Sequence, residues 1–172
     1  GAQSAPLENK NLVFKCVDYI TNCIKDMNIP ERMGVMEEKT IGLMGAMSEE
    51  VARLYARMTD RSEESLGGVT FYSGVLAGRR VILCCAGIGK VNAACAAQLL
   101  ILKFGAKALI FSGIAGNMTS KIGVGDVVIG ETLLYHDAER RMIADTFPNL
   151  QEFHGDPAMI AAAEAACAAE GV

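Results

Sequence analysis

The chain has 172 residues, 51% of them hydrophobic and 21% charged, which suits one folded domain with a sizeable core and excludes a disordered or fibrous protein. Its net charge of -4, with no basic cluster beyond the pairs Arg79, Arg80 and Arg140, Arg141, offers no field for a phosphate backbone, so nucleic acid is excluded as a partner. The longest apolar runs fall far short of the roughly 20 residues that a membrane span needs, so no membrane contact is expected either.

Residues 1–11 are polar and turn-prone. Leu12, Val13, Cys16, Val17, Ile20, Cys23, Ile24 and Met27 then recur at spacings of three and four, which predicts an amphipathic helix ended by Asn28, Ile29 and Pro30. The run TIGLMGAM at 40–47 predicts a buried strand. Ser48 follows as the cap of a helix whose first turn carries Glu49 and Glu50 and which runs to about Thr59. Asp60 to Gly68 is turn-rich. Alternation from Val69 to Val75 predicts a strand, Ala77 and Gly78 turn the chain, and Val81 to Ala86 returns as the second arm of a hairpin.

After Gly87, Ile88 and Gly89, a helix from Lys90 to about Phe104 is built of Ala, Leu and Ile with almost no charge. Such a helix needs cover from a sheet on one side and from a second subunit or element on the other. Ala106 to Ser112 predicts another buried strand, and Asp126 to Gly130, continuing to Leu134, a further one. Asp156 to Ala169 closes the chain as an Ala-rich helix, with Asp156 as its cap and Pro157 at its first position. Strands that alternate with helices, each strand a continuous apolar run, define an α/β three-layer sandwich around a central twisted, mixed sheet.

The six cysteines form no CxxC pair and are read as reduced, small hydrophobes. Residues 1–6 lack the basic start and apolar run of a signal peptide. Both point to a cytoplasmic protein.

Three glycine-bearing turns follow three strands: GAMSEE at 45–50, AGIGK at 86–90 and SGIAG at 112–116. In an open α/β sheet such turns line the crevice at the carboxyl ends of the strands, where small ligands bind, although each alone is an ordinary tight connection. The dinucleotide fingerprint fails because Asn92 stands at the third glycine position, and the P-loop fails because Val91 follows Lys90. Glu50, in the first turn of a helix beside a strand end, can serve as a general base on water, or with Glu49 simply complement the helix dipole. His136 with Asp137 lacks a nucleophile to form a triad, and His154 is isolated, so no metal is expected.

Longer words go further than these patterns. IGLMGAMSEEV at 41–51, AGIGKVNAA at 86–94, SGIAG at 112–116, VGDVV at 124–128 and YHDA at 135–138 occur in an order and spacing that resembles the 5′-methylthioadenosine/S-adenosylhomocysteine nucleosidases of the nucleoside phosphorylase superfamily. The resemblance runs from about Thr40 to the last residue. Residues 1–39 are then an N-terminal extension with one amphipathic helix, and 40–172 a partial nucleoside phosphorylase-like domain.

The resemblance implies hydrolysis of the N-glycosidic bond between adenine and a 5′-thio-substituted ribose, with no cofactor. It makes Glu50 the water-activating base and sets Ala46 and Met47 beside the ribose. Ile88 becomes an apolar contact to the sugar and thioalkyl side, and Ile114, Ala115 and Gly116 the turn along the purine nucleoside. Many relatives carry Ser or Thr where this chain has Ile114. Arg140 and Ile143 stand where the family reaches across a homodimer to close over the partner's thioalkyl tail. The family's Val-Glu-Met-Glu stretch, which holds the ribose hydroxyls, and its Ser-Asp stretch, which protonates adenine, have no counterpart here, so a C-terminal part is expected to be missing. Loss of a general acid costs about 10² to 10⁴ in rate, so this polypeptide alone is expected to be nearly inactive. Two alternatives stay open: phosphorolysis of a purine nucleoside, and a nucleoside-binding relative without catalysis.

Overall fold

The computed structural model describes residues 10–27 and 39–171, with side chains from Asp18 onward in the first stretch. The amphipathic helix forms as α1 (Lys10–Asp26). Its expected terminator at Asn28, Ile29 and Pro30 lies outside the described residues, as do the side chains of Leu12, Val13, Cys16 and Val17.

The sheet is built on β1 (Ile41–Gly45), whose five residues are all buried. β1 runs parallel to β4 (Arg79–Cys85) on one side and to β5 (Ala108–Phe111) on the other, with Ile41 opposite Val81 and Ala108. β3 (Val69–Leu76) pairs antiparallel with β4, and β2 (Thr59–Leu66) antiparallel with β3, so the order is β2-β3-β4-β1-β5 and the sheet is mixed. Ala77 and Gly78 both take positive φ, 52° and 75°, the geometry of a tight two-residue hairpin turn whose twist matches the strands.

Alternation then sorts side chains into two cores. Ile41, Leu43, Leu76, Val81 and Leu83 face Ile20, Ile24 and Met27 of the α1 region, Val51 and Leu54 of α2 (Ser48–Arg57), and Ala163 and Ala166 of α5 (Pro157–Glu170). Met44, Phe71, Ile82 and Cys84 face Ala96 and Leu100 of α3 (Lys90–Leu102). Helices on both faces of one mixed sheet make the three-layer sandwich expected from the sequence.

α1 is fastened to this frame by polar ties as well as by its core residues. Asp18 pairs with Arg57 of α2 at 2.5 Å, Asn22 donates to Glu170 of α5 at 2.7 Å, and Arg79 donates to the Met27 carbonyl at 2.7 Å.

α5 begins as expected: the Asp156 carboxylate accepts from the N–H groups of Ala158 and Met159 at 2.9 and 3.0 Å, with Pro157 in the first turn. Gly171 ends it in the left-handed conformation.

Several expectations are corrected. The turn-rich stretch from Asp60 to Gly68 is mostly strand β2, because its backbone ladder to β3 does not depend on apolar side chains. Its exposed Asp60, Arg61, Glu63 and Glu64 are what an edge strand carries to discourage further pairing. α2 stops at Arg57, two residues early, and Ser48 is its first helical residue while Met47 is the N-cap. The 106–112 strand is not buried: β5 is the sheet's other edge, with Ala108 to Ile110 half-buried and Phe111 exposed. Residues 126–131 form no ladder, and only β6 (Thr132–Leu133) pairs, with β7 (Phe153–His154), in a separate two-stranded sheet. A short helix, α4 (Arg140–Asp145), was not foreseen. The outer face of α3 is open among the described residues: Val91 and Leu102 are 77% and 74% exposed.

Candidate active site

Because β1, β4 and β5 are parallel, their carboxyl ends lie on one edge of the sheet, and the three glycine-bearing turns leave from that edge together. Two backbone bonds lash them. Ala86 N–H donates to the Gly45 carbonyl at 2.8 Å, and Ser112 N–H donates to the Met44 carbonyl at 2.9 Å.

Glu50 sits at the third position of α2, half-buried, with its carboxylate turned back toward the strand ends. Oε2 accepts from Ala46 N–H at 2.7 Å and from Met47 N–H at 2.9 Å, so Glu50 reaches back from the third helical position to the backbone of the N-cap. The Ser48 hydroxyl instead reaches Glu49 at 3.0 Å. Oε1 of Glu50 accepts from Ile114 N–H at 3.0 Å, across the crevice in the turn after β5. A carboxylate offers about four acceptor sites, so three are occupied and one, on Oε1, is left for a water or a substrate hydroxyl.

Two glycines make room for this arrangement. A Cβ on Gly113 would stand 2.8 Å from Glu50 Oε1 and 3.1 Å from its Cδ, and a Cβ on Gly45 would stand 2.9 Å from Val51 Cγ1 and 3.0 Å from the Ser112 carbonyl. Glu49 has a different situation. It is solvent-exposed, and backbone N–H at the helix start, helped by the Ser48 hydroxyl, holds its carboxyl below the usual carboxylate range.

The other residues singled out from the sequence divide by their place around Glu50. Ala46 and Met47 are half-buried and bonded to Glu50, and Ile114 joins them through its main chain, which any residue type would supply. Ile88, Ile114, Ala115 and Gly116 form an exposed rim, with the side chains of Ile88 and Ile114 75% and 79% exposed. Arg140 and Ile143 lie on α4, the former exposed and the latter half-buried, with no recorded bond to the Glu50 cluster. Gly113 was missed because its importance is steric and appears only when Glu50 is folded against it. Two clefts of roughly 340 and 450 Å³ share His154, Gly155 and Ile160 and border none of the three turns. Among the described residues no group of three His, Cys, Asp or Glu side chains could hold a metal.

A mixed sheet between helical layers, with a main-chain-clamped carboxylate at the ends of its parallel strands, defines an α/β protein of the open-sheet class, in which ligand sites generally lie at the strand termini. The chain belongs to the phosphorylase superfamily, whose family model matches residues 40–172. Within it, a 5′-methylthioadenosine/S-adenosylhomocysteine nucleosidase of Staphylococcus aureus (strain JH9) is 46% identical over 99 residues, 58% of this chain and 43% of that relative. The chain therefore spans less than half the length of that relative.

Solved structures agree. The 5′-methylthioadenosine/S-adenosylhomocysteine nucleosidase of Neisseria meningitidis in complex with methylthio-immucillin-A superposes with a TM-score of 0.71 and 36% identity, covering 76% of this chain and 58% of that one. Futalosine hydrolase of Helicobacter pylori superposes with a TM-score of 0.70 and 26% identity, covering 78% of this chain and 60% of that one.

Proposed function

We propose that the protein to which this chain contributes hydrolyses the N-glycosidic bond of 5′-methylthioadenosine and S-adenosylhomocysteine, releasing adenine and a 5-thio-substituted ribose. The observation that carries this is Glu50, clamped by three backbone N–H groups where the three turns meet, with one acceptor site free. As the N-glycosidic bond breaks through a transition state resembling a ribosyl oxocarbenium ion, the water oxygen bonds to the anomeric carbon, that carboxylate takes the water's proton, and the departing adenine takes up a proton from a donor other than Glu50. Ala46, Met47, Ile88, Ile114, Ala115 and Gly116 are the proposed walls of the nucleoside site. The nucleosidases matched in sequence and in structure support the substrate class.

We further assign a homodimer, supported by the exposed apolar face of α3, with Arg140 and Ile143 as contacts to the partner's substrate tail. Residues 1–39 are an extension of the nucleosidase domain that packs on it through α1. No helix among the described residues is long and apolar enough to cross a membrane, and no disulfide joins the five described cysteines, which supports the cytoplasm.

The test is chromatographic. The full-length protein should release adenine from 5′-methylthioadenosine in phosphate-free buffer. A strict need for phosphate would replace hydrolysis by phosphorolysis, and calorimetric binding without release would leave a nucleoside-binding relative.

A further inference from the structure

α3 starts with Lys90 and has no acidic residue in its first turn. The N-terminal end of a helix carries about half a positive charge, so a lysine there has the wrong sign for helix stability. Its partner comes from 47 residues downstream: Lys90 Nζ contacts both carboxylate oxygens of Asp137. Nζ also lies 5.3 Å from the ring centroid of Tyr135, and Tyr135 in turn meets Phe153 edge-on at 5.6 Å. His136 stays 90% exposed, its Nδ1 4.0 Å from Asp137.

The two ends of this tie adjoin different parts of the proposed site. Lys90 follows Ile88 by two residues, on the turn after β4, and Asp137 precedes Arg140 and Ile143 on α4 by three and six. Between β5 and β6 the chain makes a long, largely exposed excursion without strand structure. The ion pair brings the chain just past β6 back to the first turn of α3, next to the Ile88 turn. We propose that Lys90 and Asp137 are positioning residues, which fix the 135–143 segment against the start of α3 and so set where Arg140 and Ile143 meet the partner's substrate tail. This rests on the nucleosidase assignment above. The Lys90 ammonium, chiefly through its hydrogen bond, holds the Asp137 carboxyl below the usual carboxylate range.

The experiment uses the full-length protein and the variants Lys90→Met, Asp137→Asn and the exchange Lys90→Asp with Asp137→Lys. Steady-state hydrolysis of 5′-methylthioadenosine and amide hydrogen exchange of residues 132–143 are measured on each. Each single variant should raise KM about two- to fivefold, the range open to a half-exposed ion pair, and leave kcat within about twofold. Exchange of the segment should quicken, and the charge-exchanged variant should restore both readouts. Unchanged KM in an active enzyme overturns the positioning role, whether or not exchange quickens, and so does a raised KM that the charge exchange fails to restore. Absence of adenine release by the unaltered protein overturns the nucleosidase assignment itself, and the positioning role with it.

Discussion

Glu50 Oε1 and the backbone N–H of Ile114 are joined by a 3.0 Å hydrogen bond that spans 64 positions of sequence. It ties the first turn of α2 to the turn after β5. The proposed base is thus aimed by main chain rather than by side chains, and the fit depends on small residues around it.

Gly113 is the most sensitive of these. Its φ does not require glycine, so Gly113→Ala acts through the 2.8 Å approach of the added Cβ to Glu50 Oε1. Displacing a catalytic group by about 1 Å costs on the order of 10²-fold. In the full-length protein kcat should fall about 10- to 100-fold. Melting should shift by no more than about 4 °C, which at this size corresponds to roughly 1 kcal/mol. Enzyme assay beside calorimetric melting separates the two effects.

α1 should contribute to global stability. Ile24 is fully buried among core residues from the sheet, α2 and α5. Ile24→Ala should lower unfolding free energy by about 3 kcal/mol, within the usual cost of truncating a buried aliphatic side chain. A urea titration measures it, and a loss below about 1 kcal/mol would mean that α1 is only loosely attached.

The buried thiols make stability fall at alkaline pH. Burial, reinforced by Cys85, pushes the Cys84 thiol up from 9.0 to about 12, and burial followed by Cys167 and Asp26 pushes Cys23 up to about 11. Raised folded-state values mean that the folded protein holds these protons more tightly than the unfolded chain. Their contribution is intact below pH 9 and is lost as pH rises through the folded-state values of about 11 and 12. The urea midpoint should drop across that window. At about pH 8, a thiol reagent should spare Cys23 and Cys84 until denaturant is added.

The proposed dimer can be tested on α3. Leu102 is 74% exposed, Val91 77% and Ile101 46%, a large apolar area for one helix. Leu102→Glu should give a monomeric mass in sedimentation of the full-length protein, whereas the unaltered protein gives a dimeric one.

Much of this was legible in the residues. Continuous apolar runs marked β1 and β4, and Asp156 with Pro157 marks the start of α5 by local chemistry alone. Glu50 stood out by its place after a strand that ends in small residues. The failures have a common cause, which is that pairing and sterics are settled by distant chain. β2 is polar and owes its existence to β3, and 127–129 is apolar yet forms no ladder. Ser48 carries the right side chain for a cap, but it lies inside the helix and its hydroxyl turns to Glu49. The roles of Gly113 and Lys90 depend on Glu50 and Asp137, 63 and 47 residues away in sequence, and no local pattern announces them.

Glu50→Gln tests the central claim most directly. The amide keeps the size of the side chain and one oxygen acceptor for the backbone clamp, but it cannot take a proton from water. Calorimetry with 5′-methylthioadenosine and an adenine-release assay on the same full-length preparation should show near-unchanged affinity and a rate lower by about 10² to 10⁴. Adenine release at the unaltered rate would contradict the assignment of Glu50 as the base.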